Sequence, residues 1–244
     1  MTLPLEVQQL CNKYLDLLRQ GHQTSLGLDQ REALYQAFGL LQWWRGSRTN
    51  DEPLWLSEAS RAVSWLSIIT ARKVIFVWET ANNTSVEPLN EFMRTPHEAL
   101  EAAEKFLTGK ISENEARSAC RVDFFRYDLI TLKVYCASKA SLAALETTLL
   151  GSAESFANLE DFADYSLVAF AGIDNNEPGV WIDDFYINLA GWDFAEDEKW
   201  TEEQKERARQ YQPVKNDPQK ELEFWEWWLT EAVPQAWELA TSNK

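Results

Sequence analysis

The chain has 244 residues, 45% of them hydrophobic and 25% charged. A chain of this size and composition can bury a sizeable core without disulfides or metals. Its formal net charge is −16, and the excess is concentrated in residues 151–244, where 21 acidic residues face 7 basic ones. This distribution argues against direct nucleic-acid binding and suits solubility or a basic protein partner.

Cysteine usage and the N-terminus indicate the compartment. The three cysteines form no C-x-x-C pair, so neither a disulfide scaffold nor a zinc knuckle is expected, and a reducing compartment fits. Residues 1–6 lack a basic signal-peptide region, and no apolar run approaches the length of a membrane span. These features predict a cytoplasmic protein without a membrane partner.

The first third of the chain shows helical spacing of apolar residues. A helix is predicted over residues 3–20, and Asp29 with Glu32 supplies a capping-box-like start for a second. A long helix follows over about residues 56–80. Its segment 74–78 is β-branched and aromatic, so a strand is the open alternative there, although no turn signal precedes it.

Capping signals begin the next helices. Residues 95–98 place Thr, Pro and Glu at the cap, first and third positions of a helix. Ser112 and Glu115 form another capping box. The pattern after it continues to residue 150 without Gly or Pro, which is long for one helix, so we expect a break near Val122 or Ala137.

The last third has one ambiguous segment and one clear helix start. Residues 159–173 predict a helix, residues 180–190 a helix or, less favoured, a strand, and residues 201–210 an exposed helix. The final helix begins with a cap and Pro at residues 217–218, and Pro234 is expected to kink or end it.

These segments predict an all-α fold. Neither an internal repeat nor a low-complexity linker divides the chain, so residues 1–244 are expected to form a single compact domain of about eight to ten helices. A minor strand pair is the open alternative, because two segments carry some strand character.

Catalytic and metal-binding patterns are weak. The glycine spacing contains neither a phosphate-binding loop nor a nucleophile elbow. His97, Glu101 and Glu104 would share a helix face and could hold a metal, yet acidic residues in a first turn are explained by the helix dipole. Asp183 and Asp184 point about 100° apart on a helix, so they do not form an obvious acid–base pair. No metal, cofactor or enzymatic activity is predicted.

A dense group of carboxylates precedes the final helix. As a solvated face it would need no partner, whereas as a docking surface it would speed association with a basic protein. We call it the acidic cluster; its members are Asp193, Glu196, Asp197, Glu198, Glu202, Glu203 and Glu206.

Residues 224–237 read F-W-E-W-W-L-T-E-A-V-P-Q-A-W. This run resembles the C-terminal signature of the Imm5 family of bacterial immunity proteins. Residues 31–35 are similar to the R-x-A-L-W segment of that family, and residues 71–79 to its A-R-x-V-x-x-x-W-E segment. The resemblance covers about residues 31–237.

The resemblance implies a helical immunity protein from a polymorphic toxin system. Such a protein binds a cognate toxin encoded nearby and neutralises it, and a basic toxin would suit this acidic chain. Two alternatives stay open: a helical scaffold with another cytoplasmic protein partner, and, less favoured, a carboxylate-based or metal-dependent enzyme.

Helical periodicity divides the signature run into two faces. Trp225, Trp228, Leu229 and Ala232 are expected to pack inward. Phe224, Trp227 and Glu231 fall on a neighbouring face and are expected to be accessible. Because Trp is enriched at binding hot spots, Trp227 is the candidate partner-binding residue of the run.

Overall fold

The computed structural model describes residues 2–40, 57–84, 96–119, 131–150, 155–172 and 216–242. Within these ranges the regular structure is helical, which confirms the predicted all-α class. The helices are α1 (Leu5–Arg19), α2 (Leu28–Ala37), α3 (Glu58–Thr84), α4 (Pro96–Leu107), α5 (Glu113–Ala119), α6 (Leu132–Leu150), α7 (Ser155–Ala171), α8 (Pro218–Trp227) and α9 (Val233–Ser242).

Strand structure is not found where the sequence left it open. Residues 74–78 lie inside α3, so the strand alternative is wrong there, and residues 180–190 lie outside the described ranges. Within those ranges, β pairing is limited to one antiparallel bridge between Gly172 and Asn216. This bridge, together with the Asp217 N–H donating to the Ala171 carbonyl at 2.8 Å, ties the end of α7 to the start of α8.

Helices α3 and α6 form the centre of one compact helical domain. Helix α6 packs against α3, α4 and α7, while α9 packs along α3. Residues 62–68 of α3 and 134–138 of α6 are buried at every position, as expected for helices enclosed on all sides. None of the described helices is both long and apolar enough to cross a membrane.

Small residues allow these central helices to approach closely. Ala, Ser and Thr recur at buried positions of α3, α6 and α7. Several of the buried hydroxyls donate to the backbone of their own helix, as Thr70 does to the Leu66 carbonyl at 2.7 Å and Thr148 to the Ala144 carbonyl at 2.8 Å. The core therefore accepts polar side chains without leaving these donors unpaired.

Two of the predicted helix starts are confirmed. The Ser112 N–H donates to Glu115 Oε2 at 2.7 Å and the Glu115 N–H to Ser112 Oγ at 3.3 Å, which completes the capping box. The Gln219 N–H donates to Asp217 Oδ1 at 2.9 Å. Because both caps close within four residues, local sequence is sufficient to specify them.

One predicted helix start is wrong, and one of two predicted break positions is excluded. Helix α2 begins after Gly27 rather than at Asp29, because the Gly27 N–H donates to Gln30 Oε1 at 3.0 Å and so starts the helix earlier. Residues 113–150 do not form one helix, since α5 ends at Ala119 and α6 begins at Leu132. Of the two positions predicted for a break, Ala137 lies inside α6, which continues through it, and Val122 lies outside the described ranges.

Pro234 was predicted to kink or end the final helix, and the helix does not end there. A π-helical turn, Trp228–Ala232, joins α8 to α9, and the Val233 N–H donates to the Trp228 carbonyl. The turn accommodates one extra residue just before Pro234, whose ring would otherwise clash with the carbonyl four residues earlier. Helices α8 and α9 are therefore one continuous helix, which we call the C-terminal helix.

Candidate functional site around Trp227

The predicted partner-binding residues fall into two groups. The seven residues of the acidic cluster lie outside the described ranges, as do Asp183 and Asp184, so the hypotheses on them stay predictions. Trp227 lies in the C-terminal helix and can be examined directly.

The candidate metal trio does not converge. His97 Nε2 lies 3.0 Å from Glu79 Oε1 on α3. Glu101 pairs with Lys105 one turn along α4 at 2.7 Å, and Glu104 pairs with Arg72 of α3 at 2.6 Å. In the described part of the chain, no group of three or more His, Cys, Asp or Glu side chains could hold a metal ion.

Two tryptophans of the signature run are core residues, as predicted. Trp225 and Trp228 are both 0% exposed. Trp225 Nε1 donates to Ser25 Oγ at 3.0 Å, and Trp228 Nε1 donates to Thr70 Oγ1 at 3.0 Å. Each buried ring therefore has its N–H group satisfied within the protein, which removes the usual cost of burying indole.

Phe224 was predicted to be accessible, and this is wrong. It is 0% exposed, because Phe170 of α7 covers it with a centroid separation of 5.9 Å. Trp225 and Trp227 contact it from either side at 5.1 and 5.9 Å. Phe224 is thus a buried residue that contacts the Trp227 ring, and it is not part of the accessible surface.

Trp227 itself is only partly buried. Lys73 Nζ of α3 lies 4.7 Å from the centroid of the Trp227 ring and 5.7 Å from that of Phe170. These distances are typical of cation–π contacts. One lysine is thus held between an aromatic residue of α7 and one of the C-terminal helix.

Further exposed side chains flank this contact. Phe76, one turn beyond Lys73 on α3, is 50% exposed. Glu223 and Glu231 precede and follow Trp227 by one turn of the C-terminal helix, and both are exposed. We call the set of Lys73, Phe76, Phe170 and Trp227 the Trp227 face. It combines aromatic area, one cation and two neighbouring carboxylates.

An ion pair that sequence reasoning missed lies close to the signature run. Arg31 of α2 donates to both carboxylate oxygens of Asp164 of α7, at 2.6 and 3.0 Å. The Arg31 guanidinium carbon also lies 5.7 Å from the centroid of the Trp225 ring. Arg31 belongs to a segment that carries the resemblance, but its partner is 133 residues away and follows no local pattern.

Glu221 and Glu146 are two of the partly buried glutamates whose acidity is perturbed. Burial raises the pKa of Glu221, and hydrogen bonds from Ser25 and Asn216 oppose this shift. Burial also raises the pKa of Glu146, opposed by the charge of Lys139. Raised carboxyl pKa values are found in catalytic acids, but these groups lie on different helices, α8 and α6. Burial also raises the pKa of the Cys11 thiol, to about 12.

Comparison of the chain with known protein families, curated proteins and solved structures finds no match. The resemblance of residues 224–237 to an immunity-protein signature therefore stays a prediction, and Trp227 is a partly buried tryptophan of that run that packs against the edge of the core.

Proposed function

We propose that this chain is an immunity protein that binds a cognate bacterial toxin encoded nearby and neutralises it in the cytoplasm. The proposal starts from the signature run and rests on the position of Trp227. Its two neighbouring tryptophans are buried and hydrogen-bonded, whereas Trp227 lies at the edge of the core with part of its ring accessible. Within the described residues, its Nε1 has no hydrogen-bond partner, a situation suited to a protein interface.

Electrostatics support a basic partner. The described part of the C-terminal helix and its cap, residues 216–242, contains six carboxylates and one lysine. The acidic cluster lies just before it in the sequence. A surface of this charge attracts a basic protein and raises the association rate, while opposing other acidic proteins.

The proposed mechanism is steric and electrostatic. The inhibitor covers the active site of the toxin, and its carboxylates pair with basic groups that would otherwise contact the substrate of the toxin. Such inhibition needs neither a cofactor nor turnover.

Co-expression tests the proposal. The product of the adjacent gene is expressed alone and with this chain, and growth is measured. We expect the product alone to stop growth, this chain to restore it, and the two proteins to copurify. A toxic neighbour that is not rescued, or a harmless one, would refute the immunity function and favour a scaffold with another partner.

Charge reversal tests the role of the acidic cluster. Changing Glu202, Glu203 and Glu206 to Lys should lower the association rate about tenfold or more at low salt and flatten its salt dependence. A control variant carries the same change in net charge at exposed acids of α1 and α4, away from the C-terminal helix: Glu6, Asp16 and Glu101. Equal effects in both variants would mean that only net charge matters and that the cluster is not a docking surface.

A further inference from the structure

We propose that the Trp227 face is a binding site for an arginine side chain of the protein partner, and that Lys73 occupies this site in the free protein. The inference rests on the proposed function and deepens it, because it assigns a partner chemistry to one surface.

The site already holds a cation. Lys73 Nζ lies over the Trp227 ring at 4.7 Å and near the Phe170 ring at 5.7 Å, so both rings present their negative faces to a positive charge. The neighbouring Arg72 pairs with Glu104, whereas no carboxylate among the described residues pairs with Lys73. The aromatic rings are therefore the main electrostatic partner of Lys73 in this part of the chain.

Two carboxylates near Trp227 are available to a second cation. Glu223 and Glu231 lie one turn on either side of Trp227, are exposed, and form no ion pair within the described ranges. By contrast, Glu226 on the adjacent side pairs with Arg19 at 2.7 Å. These two unpaired carboxylates, on the helix that carries Trp227, are complementary to a basic partner.

Arginine matches this chemistry better than lysine or an apolar side chain does. Its planar guanidinium stacks on an indole ring and is weakly hydrated, so little is lost when water is removed. From a stacked position it can also donate to a carboxylate on Glu223 or Glu231. Phe76, half exposed one turn from Lys73, offers apolar area to the aliphatic part of the arginine side chain.

Displacement of Lys73 has a measurable consequence. If the lysine competes for the ring, then Lys73→Ala should strengthen arginine binding although it removes a positive charge from the site. The gain should be about two- to fivefold, the range expected for one exposed cation–π contact. Lys13→Ala provides a matched control, because Lys13 also lies over a ring, that of Tyr14 at 5.6 Å, but on α1.

Fluorine NMR of the full chain labelled with fluorotryptophan reads the site directly. The Trp227 signal is assigned with Trp227→Phe, and the probes are N-acetyl-arginine methylamide and its neutral isostere, the citrulline derivative. We expect the arginine probe to shift the Trp227 signal and the citrulline probe to shift it much less. Lys73→Ala should lower the dissociation constant, Lys13→Ala should leave it unchanged, and Glu223→Gln with Glu231→Gln should raise it.

Three outcomes would overturn the proposal: equal shifts with both probes, no effect of Lys73→Ala, or a Trp227 shift that depends on protein concentration alone, which would identify a second copy as the occupant. The growth assay is independent of these readouts. Arginine binding without rescue from toxicity would refute the immunity function and support the arginine site. Rescue without arginine binding would support the immunity function and refute the arginine site.

Discussion

In the ion pair between Arg31 and Asp164, the arginine is buried and the aspartate is partly exposed. The loss of stability on removing Asp164 should therefore differ from the loss on removing Arg31. The side chain of Arg31 is 5% exposed and that of Asp164 is 26% exposed. Asp164→Ala removes a carboxylate from a guanidinium that is almost fully buried. Arg31→Met leaves a carboxylate that water still reaches, and the methionine fills most of the space of the arginine stem.

The magnitudes follow from this asymmetry. Removing one partner of a buried pair costs about 3–5 kcal/mol when the remaining charge is isolated from water, and we expect this for Asp164→Ala. Leaving a partly hydrated acceptor unpaired costs about 1–3 kcal/mol, which applies to Arg31→Met. In a chain of this size each kcal/mol lowers Tm by about 2–4 °C. A difference of about 2 kcal/mol therefore predicts a Tm gap of about 4–8 °C between the two variants.

Thermal and urea denaturation followed by circular dichroism measure both costs. The double variant Arg31→Met/Asp164→Leu completes a cycle and should be more stable than Asp164→Ala, because it removes the buried guanidinium as well. The exposed pair Arg72–Glu104 is the control; Arg72→Met should cost less than about 1 kcal/mol. If Arg31→Met destabilised the protein as much as Asp164→Ala, the argument from one-sided burial would be refuted.

Three further predictions concern the core and the C-terminal helix. Trp228→Ala should cost about 3–5 kcal/mol and Trp227→Ala about 1–2 kcal/mol; equal losses in denaturation would contradict the different burial of the two rings. Deletion of Thr230 should cost about 3 kcal/mol, because it returns the π turn to α spacing against Pro234, and adding Pro234→Ala should recover most of the lost Tm. The folded state binds the proton of Glu146 more tightly than the unfolded state does, so the wild type loses stability as pH rises above the ordinary value of 4.5. Glu146→Gln should therefore exceed the wild type in Tm at neutral pH, and the gap should close as pH falls below that value; a gap independent of pH would refute this.

Much of the helical framework could be predicted because its signals are local. The capping box at Ser112 and the cap at Asp217 are complete within four residues, so no knowledge of packing is needed. Local rules failed where a second local interaction competed. The Gln30 side chain accepts from the Gly27 N–H and starts α2 before Asp29. The π turn changes the residue spacing before Pro234, and the expectation that a proline ends a helix assumes regular α spacing.

The contacts that connect the helices could not be predicted in this way. Trp225 donates to Ser25 across 200 positions of the sequence, and Trp228 to Thr70 across 158. Periodicity indicates that a side chain points inward, but not which helix meets it. The partner of a buried polar group is decided by the packing of helices, which a single sequence does not encode in any short pattern.

The same limit explains the mixed outcome for the outer face of the signature run. Periodicity predicted Phe224 and Trp227 on the same face, because residues three positions apart in a helix are neighbours on its surface. Helix α7 covers Phe224 through Phe170, while over Trp227 it is the flexible lysine Lys73 that lies against the ring. A ring covered by packed aromatic residues cannot be uncovered without loss of the core, whereas a lysine can move aside at little cost. For the proposed arginine site, this means that a partner would replace only the contact of Lys73 with Trp227, and the packed core would stay intact.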